Sequence, residues 1–239
     1  MNPQHLGVFI LFITLGTFPG AARGLPMVDA MVQARDSQES YLQWSQKQAE
    51  KIGKSTRVNG QAGGSWDMRV IHTESSYNFK LRATWFTPEV IRATARYFQL
   101  RQGLTDAATK ALVAEAESVG DTAILVEIDP REGSGVIPLD WEAYLRPKIN
   151  EKSDFIGVAG LKLPGLRSVK VLESVVPRDY SYERFWVVFR LVDDRAQPLF
   201  SSSAKECELV IRIHAKEGRV AWTIPDSIRQ LEEALAAKR

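Results

Sequence analysis

Cysteine is almost absent from this chain. Its 239 residues include one, Cys207, which excludes an internal disulfide and a thiolate metal cluster. Cys207 opens the strand-like run "ECELVIRI" and reads as a small buried hydrophobe. Histidine is scarce too. Of three, His5 lies among the first 22 residues, leaving His72 and His214. Neither has a second histidine at a metal-ligand spacing. His214 stands seven residues from Cys207 in the same run. That is about 23 Å in an extended strand, too far for a thiol–imidazole pair.

Other constellations are missing. No G-x-S-x-G elbow occurs, and no G-x-x-x-x-G-K-[ST] or G-x-G-x-x-G loop. A one-sided charge is lacking as well. Lys and Arg total 31 against 29 Asp and Glu, a net charge of +2. Acids and bases alternate, as in "RDYSYER" and "HAKEGR". This pattern lacks the concentrated positive field of a nucleic-acid binder. The sequence implies neither a cofactor nor a metal.

The longest uncharged apolar run is Leu6–Phe18, thirteen residues. It is short for a bilayer span, which needs about 20 residues, and suits the core of an export signal. Gly20 and Ala22 place small residues at −3 and −1 of a cut after Ala22. Ala30 and Ala34 offer later sites. The expected organisation is an export signal over 1–22, a surface helix and flexible linker over 23–64, and one α+β domain over 65–239. A sub-boundary could fall near 148–165, where charge, Gly and Pro mix. The expected location is periplasmic or secreted. The alternative is a membrane anchor formed by residues 6–18.

A helix is expected over Ala34–Ile52, followed by a linker in "VNGQAGGS". In "YNFKLRATW", Tyr77 to Trp85, apolar and polar residues alternate, the mark of a half-buried strand with a basic outer face. Thr87, Pro88 and Glu89 then open a helix that ends at Gly103. Thr105 and Asp106 open a second, with Ala108, Ala111, Leu112 and Ala116 on one side. The two form an αα-hairpin. "DTAILVEID" is apolar on both faces and belongs at the centre of a sheet.

The second half is β-rich and allows a sandwich. "VIPLDW" reads as a short edge strand and "WEAYLRPK" as a helical turn. "SVKVLESVV" and "FWVVFRLV" read as strands, the latter turning through "DDRAQP". "CELVIRIHAKEGRVAWTI" reads as a hairpin turning at Gly218, with His214 on its outer face. Ser227 and Gln230 match a capping box at the start of a C-terminal helix with an Ile228, Leu231, Leu235 stripe. The expected class is α+β with mainly antiparallel sheets, an αα-hairpin insertion and a C-terminal helix.

Two clusters are candidate sites. "IDPREGSGVIPLDW" gathers Asp129, Glu132, Asp140 and Trp141. With His72, these acids could serve as paired carboxylates. Turn chemistry explains Asp, Pro, Gly and Ser equally well, and the strand connection is the primary reading. "RDYSYERFWVVF" concentrates Arg178, Tyr180, Tyr182, Arg184 and Trp186, residue types common at binding hot spots. The expected function is an exported, non-catalytic binding or structural protein whose ligand is a protein, a peptide or a glycan. The alternatives are a carboxylate-dependent hydrolase using the 129–142 loop and a membrane-tethered interaction module. N-terminal sequencing of the exported protein should give a start at Arg23; a chain still carrying Leu6–Phe18 in the membrane fraction would contradict the cleaved signal.

Overall fold

The computed structural model describes residues 40–62, 78–130, 137–148, 157–163 and 179–238. All belong to one compact unit, Ser40–Arg239. A 3-10 turn over Ser40–Gln43 leads into α1, Gln46–Gly53. Then come β1, Arg57–Ala62, β2, Phe79–Phe86, α2, Pro88–Gln102, and α3, Asp106–Glu117. They are followed by β3, Thr122–Pro130, β4, Glu142–Pro147, β5, Val158–Ala159, and β6, Leu161–Lys162. The remainder is β7, Glu183–Phe189, β8, Glu206–Ile213, β9, Lys216–Thr223, and α4, Asp226–Ala236.

The strands form two antiparallel sheets, ordered β1-β2-β3-β7-β6 and β5-β4-β8-β9. The class is α+β, as the grouping of helix patterns apart from strand patterns implies. Period two in β2 drives the packing. Phe79, Leu81, Ala83 and Trp85 are buried and share one core with Leu145 of β4, Leu209 and Ile211 of β8, and Trp222 of β9. The Trp85 ring stands 5.6 Å from Trp222 and 6.3 Å from Phe200. Its indole N–H is satisfied by Thr122 Oγ1 at 2.7 Å. Fully burying each of these large apolar side chains contributes about 1.5–3 kcal/mol.

The opposite face of the first sheet is divided along its strands. Its Phe86, Ala123, Leu125 and Trp186 half lies under the αα-hairpin, packed on Val90, Ile91, Ala95 and Val113. Tyr41 and Leu42 of the 3-10 turn join this second core. The hairpin forms for the expected local reasons. Thr87 and Thr105 cap their helices through Val90 N–H and Ala108 N–H, and Gly103 ends α2 in the left-handed region at φ 66°.

Several elements differ from the sequence expectation. The helix before the domain is shorter among the described residues, beginning at Gln46 behind a Ser45–Gln48 capping box. "RVNGQA" is no linker; it is edge strand β1, paired with β2 from Arg57↔Thr84 to Ala62↔Phe79. Gly60 is required by close approach: a Cβ there would lie 2.5 Å from the Arg219 carbonyl oxygen of β9. The buried face of α3 is Thr109, Val113 and Ala116, while Ala108 and Ala111 are exposed.

"EAYLRP" is β4, an interior strand rather than a helical turn, because its pairing with β8 buries Ala143 and Leu145. The described part of "VIPLDW", residues 137–141, is not a strand; Leu139 and Asp140 form a turn before β4. "DDRAQP" makes a tight turn with a single Val192↔Pro198 bridge. The β8–β9 hairpin reverses at His214 and Ala215, with His214 at φ 52°, and Gly218 sits inside β9 opposite Ile211. The α4 N-cap is Pro225; Ser227 instead donates to Glu89 Oε2 of α2 at 2.8 Å. The segment "SVKVLESVV" lies outside the described residues.

Gly60→Ala should therefore destabilise the protein by about 1–3 kcal/mol through overpacking against backbone. Gly103→Ala, with open space around it but a left-handed φ, should cost about 1 kcal/mol. Urea denaturation of both variants checks the order.

Candidate functional site

The other half of that outer face carries charge instead of apolar side chains. Register places Asn59 of β1, Arg82 of β2, Glu127 of β3 and Arg184 of β7 side by side across the four strands. One row further along lie Lys80 and Asp129. Arg57 reaches into the set from the start of β1, and Asp179 and Tyr182 lie just ahead of β7.

Glu127 is its centre. Its side chain has 0% exposure, and it pairs with Arg57 Nη2 at 3.2 Å through Oε2 and with Arg184 Nε at 3.4 Å through Oε1. A carboxylate withdrawn from water needs such partners, because desolvation of an isolated charge costs several kcal/mol. The triad ties three strands, β1, β3 and β7, on one face.

Arg82 is held differently. Its Nε donates to Asn59 Oδ1 at 3.2 Å, Nη1 approaches Asp179 Oδ2 at 3.4 Å, and the guanidinium lies 4.2 Å over the Tyr182 ring. Its side chain is 20% exposed. The guanidinium is thus oriented by three neighbours, with its Nη2 end uncommitted among the described residues. Asp179 accepts the Ser181 backbone N–H, which holds its carboxyl below the ordinary range, with Arg82 adding to the effect. Burial pushes the Tyr182 phenol up, against the opposing pull of Arg82. Lys80 pairs with Asp129 at 3.7 Å, with both side chains partly exposed.

The structure brings together part of the expected aromatic and basic cluster. Tyr182 and Arg184 share this face. Trp186 shares it too, but is buried beneath the helices, with its ring 4.9 Å from Phe86. Its environment is core rather than binding surface, because the αα-hairpin covers the end of β7 that carries it. Tyr180 sits in the turn before β7, 88% exposed. Arg178, Glu132 and His72 lie outside the described residues.

The two described aspartates of the 129–142 loop are placed on different elements. Asp129 is on β3 beside Lys80, whereas Asp140 is in the exposed turn leading to β4. They share no partner among the described residues. Trp141 is a core residue, 5.0 Å from Phe185, with Lys162 Nζ 4.8 Å above its ring. The described residues contain no group of three or more His, Cys, Asp and Glu that could hold a metal ion. Cys207 is buried, and burial pushes its thiol up to about 12, well away from the thiolate a nucleophile needs.

No family model, curated protein or solved structure matches the chain. The site therefore stands on its own geometry.

Sequence reading missed Arg57, Arg82, Glu127 and Asp179. Two signals were present: the basic alternate face of "YNFKLRATW", and a lone acid inside the apolar run "DTAILVEID". The second sheet offers a contrast. Its outer face pairs Arg146 with Glu208, and Arg212 and Arg219 with Glu217. Arg146–Glu208 and Arg212–Glu217 pair across strands and Arg219–Glu217 along β9, all at least partly exposed and each of small energetic consequence.

Glu127→Ala would leave Arg57 and Arg184 facing one another. It should destabilise the protein by about 3–5 kcal/mol, the range for breaking a buried pair. Chemical denaturation measures the loss, and adding Arg57→Ala to the variant should recover part of it.

Proposed function

We propose that this chain is an exported, non-catalytic binding protein that recognises a carboxylate-bearing ligand on the charged half of its first sheet. The observation that carries the reading is Arg82. A guanidinium stacked on Tyr182 and steered by Asn59 and Asp179 is already ordered for contact. It loses little freedom on binding, and its planar fork matches a carboxylate. Lys80, 44% exposed and paired with Asp129 at 3.7 Å, adds a second cation next to it. The exposed ring of Tyr180 supplies apolar contact area at low entropic cost.

Export is supported by the uncharged Leu6–Phe18 run and the small residues at Gly20 and Ala22. No helix among the described residues is long and apolar enough to cross a membrane. The carboxylate-hydrolase alternative has less support, since Asp129 pairs with Lys80 on the first sheet and Asp140 lies in an exposed turn with no partner in common with it among the described residues.

Calorimetric titration of the full chain with an oligoglutamate peptide and with a uronic-acid oligosaccharide tests the proposal. The account expects salt-sensitive binding of one of them, weakened about tenfold or more by Arg82→Ala, as for loss of a charge-assisted hydrogen bond. Failure of both ligands to bind, or equal binding by Arg82→Ala, would overturn it.

A further inference from the structure

A second buried carboxyl lies far from that face in its connections, on α4. Glu232 is 2% exposed, and its Oε1 accepts the Phe200 backbone N–H at 3.0 Å. Phe200 is itself buried and sets its ring edge-on to Trp85. One turn earlier on α4, Arg229 donates to the carbonyls of Ser201 and Ala204. The segment Leu199–Ala204 is therefore fastened to α4 at three places. One of these is a titratable group removed from water, with no cation bonded to it.

We propose that Glu232 is a pH-sensitive latch: in its neutral form it holds Leu199–Ala204 against α4, and its ionisation loosens that segment and uncovers the Trp85 end of the core. The physical reason is desolvation. A carboxylate in this position has lost its water and has only the backbone N–H groups of Phe200 and Leu199 in exchange, whereas the neutral acid tolerates the site.

The charged and titratable neighbours are few. Arg229 on α4 favours the ionised form and Glu233 on α4 opposes it. Cys207 of β8 feels the Glu232 charge but stays a thiol. Glu89 of α2 is engaged by Ser227 at the start of α4. Burial prevails and raises the carboxyl to about 7. The sign follows from linkage. A group whose pKa is higher in the docked state stabilises docking fully below its undocked pKa of about 4.3, and that stabilisation is lost as pH rises through the docked value. The window is therefore between about pH 4.3 and neutrality, with the latch closed on the acid side.

Site-resolved amide exchange of the full chain between pH 5.5 and 8.5 tests the latch. After correction for intrinsic rates, protection of the Phe200 amide should fall about tenfold or more across this range. The Val126 amide in β3 should not follow. Glu232→Gln, which keeps the acceptor but cannot ionise, should hold Phe200 protection flat. Unchanged Phe200 protection in the native chain overturns the proposal, as does the same fall in Glu232→Gln or a parallel fall at Val126. A carbon-13 titration of the Glu232 carboxyl in the native chain needs no variant. A midpoint near 7 supports the latch, and one below 5 overturns it.

Discussion

The boundary between Leu125 and Glu127 on β3 organises this molecule. The two residues are neighbours on one face of one strand, yet Leu125 lies under the αα-hairpin and Glu127 lies between two guanidiniums. Both are fully withdrawn from solvent. A strand can carry such a change of environment only if its neighbours change in register with it. They do: Thr84 and Trp186 flank Leu125, whereas Arg82 and Arg184 flank Glu127. The helices thus cover the dry half of the sheet and leave the other half to ion pairs.

The first sheet can support this division because its inner face is settled independently. Phe79, Leu81, Ala83 and Trp85 of β2, with Ile124, Val126 and Ile128 of β3, pack against the second sheet in one continuous core. The chain passes from one sheet to the other through Val158–Lys162, where β5 pairs with β4 and β6 with β7. Strands from both halves of the sequence build this sandwich, and its core takes residues from Ala62 to Ile228. A core assembled from such distant segments positions Arg57 and Arg184 against Glu127 with tolerances that no local segment could set.

What the sequence disclosed follows the range of the interactions. The αα-hairpin was legible because Thr87, Pro88, Gly103 and Thr105 act on their own neighbours. Strands β2, β3 and β8 were legible through alternation or continuous apolar runs. Strand β1 was not, because Asn59 and Gly60 have turn chemistry and only pairing with β2 makes them a strand. Strand β4 was misread because Pro147 and the surrounding charges hide an alternation that matters only against β8. The site behaves likewise. Tyr182 and Arg184 stood out by composition. Arg57 lies 70 residues from Glu127, and nothing local announces the pair. Trp186 has the composition of a hot spot, but a helix contributed from elsewhere covers it.

The proposed binding function rests on the ordered guanidinium of Arg82 as the point of ligand contact. Nitrogen-15 NMR of the arginine Nε–Hε groups examines it directly. During titration with the carboxylate ligand that binds, the Arg82 signal should shift progressively and saturate, while those of Arg212 and Arg219 on the second sheet stay still. A stationary Arg82 signal at saturation, with shifts confined to the second sheet, would contradict the account.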